Sequence, residues 1–117
     1  MLNEKKILVF TATYNEKENI ERLIILINKI CPEVHILVID DNSPDKTSET
    51  VTNLKKNIKN LNLITRDGKM GLDTAHKEAY SYSLKNDFDY LITMDADFSH
   101  DPSELKNFIK NLEHYPF

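Results

Sequence analysis

The chain has 117 residues, and its 15 lysines and arginines against 19 aspartates and glutamates give a formal net charge of -4. This length suits one domain, and a hydrophobic content of 40% with only 2 glycines and 4 prolines excludes a disordered or collagen-like chain. The negative charge argues against a broad nucleic-acid-binding surface, and every apolar run is far shorter than the ~20 residues that a membrane-spanning helix needs.

The cellular location is suggested by the cysteine content. Cys31 is the only cysteine, so no internal disulfide can form and we expect a cytoplasmic protein. The first six residues lack the apolar stretch of a signal peptide. We therefore expect any membrane contact to be peripheral, at the cytoplasmic face, and to be made by parts outside this sequence.

Short apolar runs predict four buried strands along the chain, at 7–10, 36–39, 61–64 and 90–94. Continuous runs of this length are typical of parallel strands that are covered on both faces. Helical apolar spacing follows each run, at Ile20, Leu23, Ile24, Ile27 and Ile30 before Pro32, then at Val51, Leu54 and Ile58 after an entry turn at 43–46, then at Leu72, Ala75, Ala79 and Tyr82, and finally at Leu105, Phe108, Ile109 and Leu112.

The alternation of strands and helices predicts an α/β fold. Because crossovers between parallel strands are right-handed, we expect a Rossmann-like parallel sheet with helices on both faces and the strand order 3-2-1-4. The fourth strand would lie at an open sheet edge, which invites self-association or pairing with a partner chain.

Polar clusters follow the four predicted strands, at 11–16, 40–45, 65–69 and 95–101. In a parallel sheet these strand ends share one edge, and ligands bind there where the strand order reverses. We therefore expect Tyr14, Asp41 and Asp95 to lie around one cleft.

The fourth cluster contains two carboxylates, Asp95 and Asp97, two residues apart. In an extended segment they would point to the same side and repel one another, and Mg²⁺ or Mn²⁺ would relieve that repulsion. Arg66 and Lys69 follow the third strand and could meet phosphate oxygens. The pattern predicts a metal-bound diphosphate ligand, although a D-x-D pair alone is also common at turns.

Simpler interpretations stay open for several of these residues. The 40–45 segment could form only a turn and a helix cap, and Tyr14 could be a plain loop aromatic. His100 lies beside the acidic cluster, whereas the other histidines have no metal-ligand spacing. No Gly-rich phosphate loop, nucleophile elbow or zinc cluster occurs in the sequence.

Four motifs then occur in order: TYNE at 13–16, VIDDNSPD at 38–45, GLDTA at 71–75 and MDADFSHDP at 94–102. Together they resemble the polyprenol-phosphate (dolichol-phosphate) mannosyltransferases, a branch of family 2 of the inverting GT-A glycosyltransferases. The first two are typical of the family at large, and DADFSHDP is specific to the branch. The resemblance implies that residues 1–117 form a single GT-A nucleotide-sugar-binding domain, the donor-binding half of a longer enzyme.

The resemblance also implies residue roles. Asp95 and Asp97 would be the catalytic carboxylates and would hold Mg²⁺ or Mn²⁺ together with Ser99. Asp41 would hydrogen-bond the base. The full set implied to bind the nucleotide sugar is Thr13, Tyr14, Glu16, Asp41, Arg66, Lys69 and Ala96.

The implied reaction transfers a hexose, with GDP-mannose as donor and a polyprenyl (dolichyl) phosphate as acceptor. The second pKa of a phosphate monoester is near ~6, so the acceptor is already largely dianionic and needs no strong base. A metal would neutralise charge on the departing diphosphate. Three alternatives stay open: a nucleotide-sugar-binding module without transfer, a UDP-sugar-using relative, and a phosphatase or nucleotidyltransferase that uses D-x-D.

Overall fold

The computed structural model describes residues 6–68 and 70–94. Within them the order of elements is β1 Ile7–Thr13, α1 Lys17–Ile30, β2 His35–Asp40, α2 Thr47–Leu54, β3 Leu61–Thr65, α3 Leu72–Lys85 and β4 Tyr90–Thr93. The four strands form one parallel sheet in the order β3-β2-β1-β4, which confirms the predicted topology. The predicted fourth helix, at 105–112, lies outside the described residues.

β2 and β3 lie on one side of β1 and β4 lies on the other, so the strand order reverses between β1 and β4. Val9 pairs with Ile36 of β2 and with Ile92 of β4 in register. Open α/β sheets bind ligands at the carboxyl ends of the strands beside such a reversal. The topology therefore places the expected ligand site at the carboxyl end of β1.

Apolar side chains cover the sheet on both faces because successive residues of each strand point in opposite directions. On one face, the strand residues Ile7, Val9, Ile36 and Val38 pack in one cluster with Ile20, Leu23, Ile24 and Ile27 of α1 and Val51 of α2. On the other face, the strand residues Leu8, Phe10, Leu37 and Ile39 pack with Ala75 and Ala79 of α3. This two-sided core explains why the strands appear in the sequence as continuous apolar runs.

The apolar stripe of α1 accounts for its position on the sheet. Ile20, Leu23 and Ile24 are fully buried, and each such side chain contributes roughly 1.5–3 kcal/mol to folding. The helix ends where the N–H of Cys31 donates to the carbonyl of Ile27 at 2.7 Å, directly before Pro32.

The observed ends of β2, β3 and β4 differ from the predicted runs by one residue, and two element boundaries differ by more. β1 continues past its apolar run to Thr13, because Ala12 and Thr13 still pair with Ile39 and Asp40 of β2. α2 ends at Leu54, so Ile58, predicted to mark that helix, lies beyond it although it is buried. Apolar spacing reports burial, and a buried residue in the following turn extends the pattern without extending the helix.

Across 6–68 and 70–94, no helix is both long enough and apolar enough to cross a bilayer.

Candidate functional site

A cavity of about 170 Å³ opens at the carboxyl edge of the sheet. Its lining residues are Ala12, Thr13, Tyr14, Asp41, Arg66, Gly71, Leu72 and Ala75. Four residues of the predicted nucleotide-sugar set, Thr13, Tyr14, Asp41 and Arg66, thus lie together. They come from the ends of β1, β2 and β3, which the parallel topology brings to one edge.

The polar wall of this cavity is a buried ion pair between Asp41 and Arg66. Nε of Arg66 lies 2.6 Å from Oδ1 of Asp41, and Nη2 lies 3.0 Å from Oδ2. The exposed fractions of the Arg66 and Asp41 side chains are 6% and 10%. A guanidinium fork bound to both oxygens fixes the plane of the carboxylate as well as its position.

Residues at the start of α3 orient Arg66 in turn. Nη1 donates to Oγ1 of Thr74 at 2.8 Å, and Nη2 donates to the carbonyl of Gly71 at 3.1 Å. Oγ1 of Thr74 also lies 2.9 Å from the carbonyls of Met70 and Gly71, and these contacts hold the first turn of the helix. Most N–H donors of Arg66 therefore bind protein oxygens. The sequence had predicted this residue near a diphosphate.

The surroundings keep Asp41 ionised. Burial alone would raise the pKa of this carboxyl, but the hydrogen bonds from Arg66 and from the backbone N–H of Met70, together with the positive charge of Arg66, outweigh it, and the pKa lies below its ordinary value. At neutral pH the cavity wall thus presents a fixed, negatively charged acceptor.

A second buried carboxylate, Asp40, ties together the loops around the cavity. Oδ1 accepts from Oγ1 of Thr13 at 2.7 Å and from Oγ of Ser43 at 2.5 Å. Oδ2 accepts from the N–H of Ser43 at 3.0 Å and from Oγ of Ser48 at 2.9 Å. Asp40 has no exposed surface and is the last residue of β2, so the 40–45 segment is more than a turn and a helix cap.

Glu16, also predicted to bind the nucleotide sugar, lines a different cavity. This larger space, about 280 Å³, lies at the start of α1 and is lined by Asn15, Glu16, Lys17, Glu18, Asn19 and Asp45. Glu16 accepts a hydrogen bond from the amide of Asn19 at 3.4 Å. The structure therefore separates Glu16 from the group around Asp41.

The remaining predicted site residues lie outside the described residues; they are Lys69, Asp95, Ala96, Asp97 and Ser99. Across residues 6–68 and 70–94, no group of three or more His, Cys, Asp or Glu side chains could hold a metal ion. The N–H of Met94 donates to the carbonyl of Phe10 at 3.0 Å, so the chain reaches the acidic motif directly after pairing with β1.

Several residues of the cavity were not predicted from the sequence to belong to the site. Leu72, Ala75 and Gly71 line it, and Thr74 orients Arg66. The GLDTA motif was the available signal, since it combines a glycine with a hydroxyl residue at the start of a predicted helix.

The chain is similar to known proteins over most of its length. A sequence model of the family described as "Glycosyl transferase family 2" matches residues 8–117. Polyprenol monophosphomannose synthase of Mycolicibacterium smegmatis is 36% identical over 110 residues, which are 93% of this chain and 42% of the relative. Undecaprenyl-phosphate mannosyltransferase of Micrococcus luteus is 30% identical over 105 residues, which are 90% of this chain and 43% of the relative. The chain thus spans less than half the length of these two curated relatives, at 42% and 43%.

A solved structure shares the fold. The mannosyltransferase PcManGT from Pyrobaculum calidifontis, in complex with GDP-Man and Mn²⁺, matches with a TM-score of 0.67 and 22% sequence identity, over 79% of this chain and 27% of that chain. This likeness agrees with the four-stranded parallel sheet and its order.

Proposed function

The chain belongs to glycosyl transferase family 2, and from that premise we propose that it binds GDP-mannose and takes part in transferring mannose to a polyprenyl phosphate. The names of the two curated relatives, a polyprenol monophosphomannose synthase and an undecaprenyl-phosphate mannosyltransferase, support this donor sugar and acceptor class. The observation that carries the proposal is the cavity beside β1, where the Asp41 carboxylate is held against Arg66.

The cavity suits the base of a nucleotide sugar. About 170 Å³ is less than the roughly 300–1,000 Å³ of sites that hold a whole drug-sized ligand, so this space fits one part of the donor. Oδ1 of Asp41 accepts from Nε of Arg66, and its second lone pair could accept an N–H of guanine. Tyr14, which also lines the cavity, offers an aromatic face for the base to stack on.

The diphosphate and its metal are proposed to bind at the acidic motif. Asp95 and Asp97 supply carboxylate oxygens, which Mg²⁺ and Mn²⁺ favour, and Ser99 supplies a hydroxyl. A divalent ion held there would neutralise negative charge on the departing GDP. Lys69 would add positive charge near the phosphates.

The transfer itself is a substitution at the sugar's anomeric carbon. The bond from that carbon to the GDP oxygen breaks, and a bond to an oxygen of the acceptor phosphate forms on the opposite face, so the configuration inverts. The acceptor is already ionised near neutral pH, so the protein's contribution is to bind both partners in line.

Isothermal titration calorimetry tests donor binding. GDP, UDP, GDP-mannose and UDP-glucose are titrated into the chain with and without MnCl₂. We expect GDP and GDP-mannose to bind more tightly with Mn²⁺, and Asp97→Asn to abolish that gain. Asp87→Asn, the same change at an exposed carboxylate in the α3–β4 connection, should leave binding unchanged. Absence of binding by all four ligands would remove the proposal.

Transfer is measured separately, because the chain spans only 42% and 43% of its relatives. The assay incubates radiolabelled GDP-mannose and a polyprenyl phosphate with the chain and extracts lipid-linked mannose. Binding without lipid-linked product would favour the alternative of a donor-binding module.

A further inference from the structure

Ser43 connects the two loops that border the proposed base cavity. Its Oγ donates to Oδ1 of Asp40 at 2.5 Å and accepts the backbone N–H of Asn15 at 2.8 Å. Asn15 follows β1, whereas Ser43 follows β2, 28 residues later in the chain. One hydroxyl therefore joins the loop that carries Tyr14 to the loop that carries Asp41.

The orientation of the Ser43 hydroxyl is fixed by Asp40. Asp40 is fully buried at the end of β2, and its Oδ2 is held by the N–H of Ser43 and by Ser48. Because the Ser43 hydrogen points to Asp40, a lone pair of the same oxygen is directed to Asn15. The buried carboxylate thus sets the direction of the contact to the other loop.

The loop that receives this contact has an unusual backbone. Asn15 has a φ of 57°, in the left-handed region that only a few per cent of non-glycine residues adopt. Such a conformation persists when neighbouring contacts hold it. The bond from Asn15 to Ser43 is such a contact, and Tyr14 is the next residue toward β1.

Ser43 does not serve as the cap of α2. The helix begins at Thr47, and the N–H of Thr47 is accepted by Asp45 at 3.1 Å. The Ser43 side chain instead makes tertiary contacts to Asp40 and Asn15. These hydrogen bonds of Ser43 therefore fix the position of one loop relative to the other.

We infer that Ser43 is a positioning residue, which acts through Tyr14 to set the affinity of the cavity for the nucleoside. This inference rests on the proposed function, since it assumes that the base binds beside Tyr14. Ser43 itself does not line the cavity and need not touch the ligand.

The matched test compares Ser43→Ala with Ser48→Ala. Each change removes one hydroxyl donor from the same carboxylate, Asp40, but only Ser43→Ala also removes the contact to Asn15. Calorimetry with GDP and MnCl₂ should show about 3- to 10-fold weaker binding for Ser43→Ala, the range of one hydrogen bond, and a smaller loss for Ser48→Ala, in which Asp40 keeps its contacts with Thr13 and Ser43. Equal affinities of the two variants would overturn the inference.

A double-mutant cycle asks whether Ser43 acts through the tyrosine. In a Tyr14→Ala background, Ser43→Ala should cause no further loss of GDP affinity, because the side chain that it positions is already gone. An undiminished loss in that background would show that Ser43 acts elsewhere, and would also overturn the inference.

Amide hydrogen exchange keeps the inference separate from the proposed function. The Asn15 N–H should exchange faster in Ser43→Ala than in Ser48→Ala in the free protein, where no nucleotide is needed. If the unaltered chain binds none of the four nucleotides, the proposed function fails, and faster exchange still shows that Ser43 positions the loop. Unchanged exchange at Asn15 would refute that positioning whatever the binding results.

Discussion

Arg66 holds Asp41 by both oxygens, with Nε 2.6 Å from Oδ1 and Nη2 3.0 Å from Oδ2. The same guanidinium reaches Thr74 and the carbonyl of Gly71, so it joins the end of β3 to the start of α3. An arginine bound in this way shapes the cavity wall through Asp41. Arg66 is therefore expected to affect the binding of the base. Experiment can distinguish this effect from a direct contact between Arg66 and a phosphate.

Thr74→Val removes the acceptor that orients Nη1 of Arg66 while it keeps the shape of the side chain. We predict that it weakens the binding of guanosine, GMP and GDP by the same factor, about 3- to 10-fold, because Asp41 becomes less well oriented. Competition calorimetry measures the three affinities. Thr74→Ser, which keeps the hydroxyl, should bind like the unaltered chain. A loss that grows with each added phosphate would instead place Arg66 on the diphosphate.

Asp41→Asn should reveal how the ion pair depends on pH. The pKa of Asp41 lies below its ordinary value in the folded chain, so the ionised form stabilises the fold. That stabilisation is complete above the unfolded pKa of about 3.9 and is lost as the pH falls through the lower folded pKa. At neutral pH the variant should lose about 3 kcal/mol, because it leaves the Arg66 charge buried and unpaired.

Urea unfolding at neutral pH, near pH 5 and near pH 3 measures this difference. The gap between Asp41→Asn and the unaltered chain should be similar at the first two values and narrower at the third. Asp87→Asn, at an exposed position, provides the control and should show a small gap throughout. A gap that widens toward acid would contradict the assigned direction of the Asp41 pKa.

The topology could be predicted because it follows from local features. Apolar runs such as 7–10 and 36–39 identify strands, helical spacing identifies crossovers, and right-handed crossovers leave few possible strand orders. The boundary at Thr13 was missed because three polar or small residues after an apolar run look like a loop. Only pairing with β2 shows that they continue the strand.

The site could be predicted in part, for the same reason. Tyr14, Asp41 and Arg66 each follow a strand, so topology alone brings them to one edge. The bonds from Ser43 to Asn15 and from Arg66 to Thr74 could not be read from the sequence. They depend on the relative rotation of two loops, and no local pattern records that rotation.

Gly71 and Gly68 should respond differently to replacement by alanine. A Cβ at either position would meet nothing within 4 Å, so space does not distinguish them. Gly71 has a φ of +94° and a ψ of 155°, which an L side chain rarely adopts, so Gly71→Ala should lose about 1–3 kcal/mol of stability. Gly68→Ala should be neutral or gain up to about 1 kcal/mol, because alanine restricts the unfolded chain. Thermal and urea unfolding measure both variants, and similar losses for the two would show that backbone strain at Gly71 is not the cause.

Thr11 and Thr13 form the last comparison, two residues apart on one face of β1. Among the residues that the structure describes, Oγ1 of Thr11 is a buried hydroxyl with no hydrogen-bond partner, whereas Oγ1 of Thr13 donates to Asp40. Thr11→Val replaces an unpaired polar atom by a methyl group of similar size, so it should stabilise the fold by up to about 1–2 kcal/mol. Thr13→Val removes a hydrogen-bond partner of Asp40, a fully buried carboxylate, and should destabilise the fold by about 1–3 kcal/mol. Because the β-branched shape is kept in both variants, urea unfolding measures what each hydroxyl contributes to stability. A loss of stability in Thr11→Val would contradict the absence of a hydrogen-bond partner for the Thr11 hydroxyl.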